Sequence, residues 1–94
     1  MSHVNLTRFA HKPEEAAETF KRVQAAASAI AEVEGVISSR AFASAGTVIL
    51  FVEHSDFGAI DRIRAHAGAH KARADGLSSL HVAGQEWWSG APTC

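Results

Sequence analysis

Cysteine is almost absent from this chain of 94 residues, because Cys94 is the only one. An internal disulfide is therefore impossible, and a reducing cytoplasm is the natural compartment. The chain also lacks any apolar stretch near the roughly 20 residues needed to cross a bilayer, and its first residues lack a signal-peptide pattern. These absences predict a cytoplasmic protein that does not interact with membranes.

An excess of either charge is absent too. Nine Lys and Arg residues oppose ten Asp and Glu residues, which gives a formal net charge of -1. Because no basic run or stripe is present, nucleic acid is not expected as a partner. The glycines are dispersed rather than grouped in a phosphate-binding loop, and neither a nucleophile elbow nor a cysteine pair occurs. Several large enzyme classes are thus excluded, but no reaction is indicated.

The most informative segment that is present spans residues 47–53 and reads TVILFVE. In a strand, Ile49 and Phe51 point to one face, whereas Val48, Leu50 and Val52 point to the other. A strand that is apolar on both faces must be covered on both faces. The remaining segments supply only two helices, and they fall on one side. A second copy of the chain is therefore expected to cover the other side, as a homodimer.

Hydrophobic periodicity predicts six elements in the order β-α-β-β-α-β. The predicted strands span 3–10, 36–43, 47–54 and 79–88. The first helix begins at Pro13 and ends near Gly35, and the second begins at Ser55 or Asp56 and ends at Gly68 or as late as Arg73. Asp75-Gly76 reads as a turn. Right-handed crossovers place both helices on one face of the sheet, so we expect a single α+β domain over 1–94 with a ferredoxin-like antiparallel sheet.

This pattern resembles the dimeric α/β barrel superfamily, in which two ferredoxin-like sheets face each other and enclose a cavity. A narrower resemblance is to small bacterial ferredoxin-like proteins, some of which bind nickel and carry a helix of the form A-x-x-R-I-H-x-x-A-G-H. In this chain residues 59–63 read AIDRI and residues 65–70 read AHAGAH. The resemblance implies a bacterial protein whose candidate metal ligands are His66 and His70.

A second narrow resemblance is to the antibiotic-biosynthesis and haem-degrading monooxygenases of the same superfamily. The segment Ala69-His70-Lys71 matches the end of their second helix, and Asn5 lies on the first strand, where those enzymes can carry an asparagine. The tryptophan that they often carry before the second helix is His54 here. This resemblance implies monooxygenase activity, either independent of a cofactor or using haem.

The two histidines can also be judged from spacing. On a continuous helix His66 and His70 lie on one face, four residues apart, and can share a divalent ion such as nickel. His54 or a histidine of a second subunit would then complete the ligand set. The alternative is that Gly68 breaks the helix and both histidines lie on the surface.

Alternation within strands predicts a second candidate site. If Val4, Leu6, Leu80 and Val82 face the helices, the intervening Asn5, Thr7 and His81 share the opposite face, inside the proposed barrel. There they could hydrogen-bond a small-molecule ligand or transfer protons. The alternative is that they satisfy each other in a filled interface.

Two further features were considered. Trp87 and Trp88 are consecutive, so they point to opposite faces of a strand, and one is expected to pack in the dimer interface. Arg40 could bind an acidic substrate, but on an edge strand an arginine more often prevents aggregation. Three functions follow as hypotheses: a ligand-binding protein that can include metal binders, a monooxygenase-like enzyme, and a structural interaction module.

Overall fold

The computed structural model describes residues 2–90, so Cys94 lies outside the described part of the chain. It contains four strands and three helices. The strands are β1 (Ser2–Ala10), β2 (Val36–Ser44), β3 (Thr47–His54) and β4 (His81–Gly90). The helices are α1 (Ala16–Ala31), preceded by a short 3-10 turn over Pro13–Glu15, and then α2 (Gly58–Ala65) and α3 (Ala67–Leu77).

The four strands form one antiparallel sheet in the order β2-β3-β1-β4. This order and the helix positions confirm the ferredoxin-like α+β fold predicted from the sequence. β3 lies in the interior of the sheet, as its two apolar faces require. β2 is an edge strand, and its Arg40 is exposed. β4, at the other edge, pairs Gly84 with Arg8 but Val82 with Phe9, so a β-bulge interrupts its register.

The hydrophobic core lies between the sheet and α1. Val48, Leu50 and Val52 of β3 are buried on this side, whereas Ile49 and Phe51 of β3 alternate onto the helix-free side and are only partly covered. The predicted alternation of β3 is therefore confirmed. The buried members of the core cluster are Phe9, Val23, Ala27, Ile30, Val33, Val48, Leu50, Val52, Ile63 and Ala69.

α1 begins where local chemistry predicts. Pro13 fixes the first turn, and the Glu15 carboxylate accepts a hydrogen bond from the Lys12 backbone N–H at 3.0 Å. This bond satisfies one of the backbone donors that a helix N-terminus leaves free. The apolar stripe of α1 then packs on β2 and β3.

The second helical segment departs from the prediction. It is broken at His66, whose ψ of 116° is extended, and the His66 Nδ1 atom accepts a hydrogen bond from the Ala69 backbone N–H at 3.1 Å. His66 thus caps α3. The predicted turn at Asp75-Gly76 is wrong, because α3 continues through it. A Cβ at Gly76 would lie 3.5 Å from the Arg22 carbonyl oxygen, an ordinary van der Waals distance, so α3 lies directly against α1 at this point.

A cluster of polar contacts fastens the start of α2 to the loop before β2. Arg62 Nε donates to the Glu34 carbonyl at 2.8 Å, and Arg62 Nη2 donates to both Asp56 carboxylate oxygens at 3.1 Å. Gly35, between these partners, has φ of +92°. Desolvation raises the pKa of Asp56, but the Arg62 hydrogen bond and charge outweigh it and hold that pKa below its ordinary value.

Within residues 2–90, no helix is both long and apolar enough to cross a membrane.

Candidate ligand cavity

A cavity of about 470 Å³ lies between the sheet and the helical layer. Side chains of β1, β3 and β4 form its floor. Apolar side chains of the three helices form its roof, and these are Ile30, Ile60, Ile63 and Leu77. Cavities of this size are typical of small-molecule sites.

The cavity exists because the helical layer covers the sheet unevenly. α1 packs on β2 and β3, and α3 packs mainly on α1. In the described chain neither α2 nor α3 makes an extensive backbone contact with a strand. The β1–β4 side of the sheet is therefore roofed at a distance instead of being packed directly.

The predicted placement of Asn5, Thr7 and His81 on one helix-free face is wrong. Asn5 pairs with Val52 and Thr7 pairs with Leu50, so both lie on the helix-covered face. Thr7 is 8 % exposed there and lines the cavity together with Asn5. His81 pairs with Ala10 and does lie on the helix-free face, where it is exposed and outside the cavity, so the three residues do not share a face.

The error comes from treating apolar residues as a marker of the helix side. In β1 both faces are apolar, because Val4 and Leu6 alternate with Asn5, Thr7 and the buried Phe9. The polar residues instead mark the floor of a cavity beneath the helices. In β4 the prediction was correct for Val82, which reaches the cavity.

Asn5, which lines the cavity, carries an unused hydrogen-bond donor. The Thr7 hydroxyl donates to Asn5 Oδ1 at 3.3 Å, which orients the amide. The Asn5 Nδ2 atom is buried and has no hydrogen-bond partner within the described residues. Buried polar atoms are usually paired, so an orphaned one in a cavity wall indicates a place for a ligand or water.

His54, at the end of β3, presents an unused acceptor. Its Nδ1 atom lies 2.8 Å from the Asp56 carbonyl oxygen. A carbonyl only accepts, so Nδ1 carries the proton and Nε2 bears a lone pair. His54 is 1 % exposed, and its Nε2 has no partner in the described chain.

The ring of His54 is held by stacking. The His3 ring lies against it with centroids 5.4 Å apart and an interplanar angle of 27°. Phe57 packs on His3 at a centroid distance of 3.9 Å, and His3 Nδ1 is 2.7 Å from the Ser89 hydroxyl. These contacts fix the direction in which His54 Nε2 points.

The side chains in the cavity lining that carry a permanent charge are all positive. Arg64 of α2 and Arg73 of α3 contribute to the wall, and neither Asp nor Glu does. Because both arginines are exposed, they lie where the cavity meets solvent. The electrostatic environment of the cavity therefore favours an anionic group near its opening.

The two tryptophans lie on opposite faces, as their spacing predicts. Trp87 pairs with Asn5 and lines the cavity, whereas Trp88 pairs with Val4 on the helix-free face. Both are about half exposed, at 52 % and 50 %.

The two predicted metal ligands have different local environments. His66 ends one helix and caps the next, and its Nδ1 is already engaged, while His70 is exposed on α3. Residues 2–90 contain no group of three His, Cys, Asp or Glu arranged to hold a metal ion. Nickel binding by His66 and His70 stays a prediction.

Four polar cavity residues had no role predicted from the sequence, namely Arg64, Arg73, Ser78 and Gln85, and His54 was predicted only as a possible metal ligand. For His54 the signal was available, because it continues the alternation of Val48, Leu50 and Val52 and so belongs on the buried face. For Gln85 and Arg73 no sequence signal pointed inward.

No family model and no curated protein matches the chain, but solved structures do. Rv0793 from Mycobacterium tuberculosis has a TM-score of 0.78 and 20 % identity, over 99 % of this chain and 98 % of that one. A Chloroflexus aurantiacus protein assigned to the antibiotic biosynthesis monooxygenases has a TM-score of 0.81 and 8 % identity, over 100 % and 97 %.

SnoaB, a cofactor-independent oxygenase from Streptomyces nogalater, has a TM-score of 0.69 and 15 % identity, over 98 % of this chain and 95 % of that one. At such identities the likeness concerns the fold. The chain has the ferredoxin-like fold of the antibiotic-biosynthesis-monooxygenase-like dimeric α/β barrel proteins.

Proposed function

We propose that this protein binds a small organic molecule in the cavity between its sheet and helices. One observation carries the proposal: two residues that line the cavity, Asn5 and His54, each hold a buried polar atom, Nδ2 and Nε2 respectively, that the described residues leave without a partner. A polar ligand that paired with both would remove the cost of burying them unpaired, about 1–3 kcal/mol for each.

The side chains that line the cavity indicate the kind of ligand that it would bind. An apolar roof and the Trp87 ring favour a flat, mostly hydrophobic body. Arg64 and Arg73 favour an acidic group at the opening. An aromatic acid or phenol of one or two rings combines these properties within about 470 Å³.

The tryptophan pair provides the test. In a Trp88→Phe variant the only indole is Trp87 in the cavity wall, and in a Trp87→Phe variant the only indole is Trp88 on the opposite face. Titration with a set of aromatic acids and phenols, 1-naphthoate among them, should give saturable fluorescence quenching in the first variant only. If no compound quenches Trp87 saturably, or if both variants respond equally, the proposal is wrong.

A second candidate is a monooxygenase-like reaction in the same cavity. It is supported by the shared fold with SnoaB, described as a cofactor-independent oxygenase, and by the unpartnered Nε2 of His54, a residue that lines the cavity. Dioxygen uptake on adding a ligand that quenches Trp87, lost in Asn5→Leu, is the expected result. Binding without dioxygen uptake by any ligand would leave the binding function and reject the enzymatic one.

The proposed assembly is a homodimer through the helix-free face of the sheet. Partly or fully exposed apolar side chains of this face lie on all four strands: Val4, Leu6, Phe42, Ile49, Phe51 and Trp88. The face also carries Arg8 paired with Glu86, and Arg40 opposite Phe51. Since its charges have both signs, a second copy rotated by a two-fold axis can match it.

Sedimentation equilibrium should give a dimer at micromolar concentration. Phe51→Asp should dissociate or unfold it, because a buried unpaired charge costs several kcal/mol. Phe42→Asp is the milder probe: Phe42 is 48 % exposed on an edge strand, so the monomer should stay folded. A wild-type mass of 10.0 kDa, or an undisturbed dimer in both variants, would reject this interface.

A further inference from the structure

We propose that Arg73 and Arg64 form a subsite for a carboxylate, and that Arg73 is the residue by which the cavity selects an anionic ligand over a neutral or cationic one of the same shape. This inference rests on the proposed ligand-binding function and specifies the charge of the ligand and the residue that recognises it. Its basis is the position of the two arginines on helix faces that otherwise line the cavity with apolar side chains.

Arg73 lies on the inner face of α3. Residues four positions apart share one face of a helix, and this face of α3 carries Ala69, Arg73 and Leu77. Ala69 is fully buried, and Leu77 lines the cavity together with Arg73. Because Arg73 is exposed, its stem can cover apolar surface while its charge stays in contact with solvent at the opening.

Arg64 occupies a similar position on α2. It follows Ile60 by four residues, and both side chains line the cavity. The extended residue His66 separates the two helices, yet Arg64 and Arg73 contribute to the same wall. Two guanidinium groups from different helices therefore border one cavity.

Neither guanidinium is neutralised within the cavity. Among residues 2–90, no carboxylate lies within ion-pair distance of Arg73. The carboxylate of Asp61 lies 4.0 Å from Arg64, and an ion pair that is so long and so exposed contributes little. None of the residues that line the cavity is a carboxylate. Since arginine keeps its charge throughout the physiological pH range, the ligand is the natural source of the missing negative charge.

A carboxylate on a flat apolar body fits this arrangement. The planar guanidinium group can donate two parallel N–H···O bonds to a carboxylate. With the carboxylate at the opening, the apolar body would extend inward to Ile63 and the Trp87 ring, which line the same cavity. A cationic ligand of the same size would bring a further positive charge to the arginines, and a neutral one would leave them unpaired.

Three naphthalene derivatives of similar shape test this selection by titration calorimetry on the full chain. At neutral pH 1-naphthoate is anionic, 1-naphthamide is neutral and 1-naphthylmethylamine is cationic. We expect 1-naphthoate to bind about 10-fold more tightly than 1-naphthamide, the low end for a hydrogen bond to a charged group because the opening is exposed. The amine should bind most weakly.

Substitutions at the two arginines assign the preference. Arg73→Gln should bind 1-naphthamide as the wild type does and lose most of the preference for 1-naphthoate, and Arg73→Glu should favour the amine. Arg64→Gln should lose less, because Asp61 is already near that charge. Lys71→Gln is the matched control: it removes one positive charge from an exposed position of the same helix outside the cavity lining, so it should keep the wild-type preference.

A measurement on the unmodified protein depends on no variant. The affinity for 1-naphthoate should fall as sodium chloride is added, whereas the affinity for 1-naphthamide should not. Equal binding of these two compounds, or an equal loss of both in Arg73→Gln, would overturn the inference while leaving ligand binding intact. A preference that Lys71→Gln removes as fully as Arg73→Gln would also overturn it, because net charge would then make the selection. If none of the three compounds binds while a phenol quenches Trp87, the inference fails and the proposed function stands; if no compound does either, both fail.

Discussion

The helical layer has a packed half and a hollow half. In the packed half, α1 lies directly on β2 and β3, and five of its residues are buried: Thr19, Val23, Ala26, Ala27 and Ile30. In the hollow half, α2 and α3 roof the side of the sheet formed by β1 and β4, and Ala69 is the only buried residue of α3. The unit that contains α1 thus forms most of the hydrophobic core, whereas the unit that contains α2 and α3 encloses the cavity.

The difference arises from side-chain size and helix continuity. α1 is an unbroken helix that buries Val23 and Ile30, whereas α3 begins after a break at His66 and buries only Ala69. Alanine is too small to fill the gap between a helix and a sheet. A cavity can therefore form without any insertion in the chain.

The largest contrast should appear in the cost of removing methyl groups. Val23→Ala, in the packed half at 0 % exposure, should lower the free energy of unfolding by about 2–3 kcal/mol, from lost burial plus a new void. Ile60→Ala, in the cavity roof, should cost under about 1 kcal/mol because its surroundings are already open. Urea denaturation measures both, and equal costs would remove the distinction between the halves.

The next largest change in stability is expected for a substitution at Gly35, where the loop before β2 meets α2. Gly35 has φ of +92° and contacts Arg62, so Gly35→Ala should destabilise by more than about 1 kcal/mol. Gly46→Ala is the matched control, because φ is +74° there but no atom lies within 4 Å of a new Cβ. Thermal unfolding should show a larger loss at Gly35, and a loss equal to that of Gly46→Ala would mean that the Arg62 contact contributes nothing.

The smallest expected effect is the loss of folding stability at acidic pH through protonation of Asp56. The pKa of Asp56 is lower in the folded chain than its ordinary value of 3.8, so the folded state holds fewer protons than the unfolded state in that region. Its contribution is complete above pH 3.8 and is lost as the pH falls through the lower folded-state pKa.

Denaturation curves at a series of acidic pH values should show this loss in the wild type and not in Asp56→Asn. Asp61→Asn is the control, since Asp61 is exposed and its nearest cation, Arg64, lies 4.0 Å away. A wild-type pH dependence that persists unchanged in Asp56→Asn would assign it to other carboxylates.

The contrast between halves also explains what could be predicted from the sequence. Alternation and helical spacing were sufficient for the fold, because β3 and α1 carry strong apolar patterns that tertiary packing uses directly. The face of β1 was assigned wrongly because Val4 and Leu6 compete with Phe9, and only the pairing with β3 resolves them. The helical conformation of Asp75-Gly76 accompanies the packing of α3 on α1, which local propensity does not encode.

Only part of the candidate site could be predicted from the sequence. Asn5 and Thr7 line a cavity, but on the face opposite to the predicted one, whereas His81 lies on the predicted helix-free face and away from this cavity. His54 was considered only as a metal ligand. The hydrogen bond from His54 Nδ1 to the Asp56 carbonyl oxygen leaves the lone pair on Nε2. The residue types alone do not reveal this bond.

The β-bulge in β4 determines which side chains of that strand line the cavity, so a change in the number of residues at the bulge would change the lining. Ala83 has no partner in β1, and this single extra residue lets both Val82 and Trp87 face the helices although they are separated by an odd number of positions. Deletion of Ala83 would restore strict alternation, so one end of the strand would have to turn over. If the Trp87 end turned, Trp88 would enter the cavity and the reporter indole would be exchanged. An insertion or deletion of one codon here would thus change the lining of the cavity without replacing any residue that now lines it.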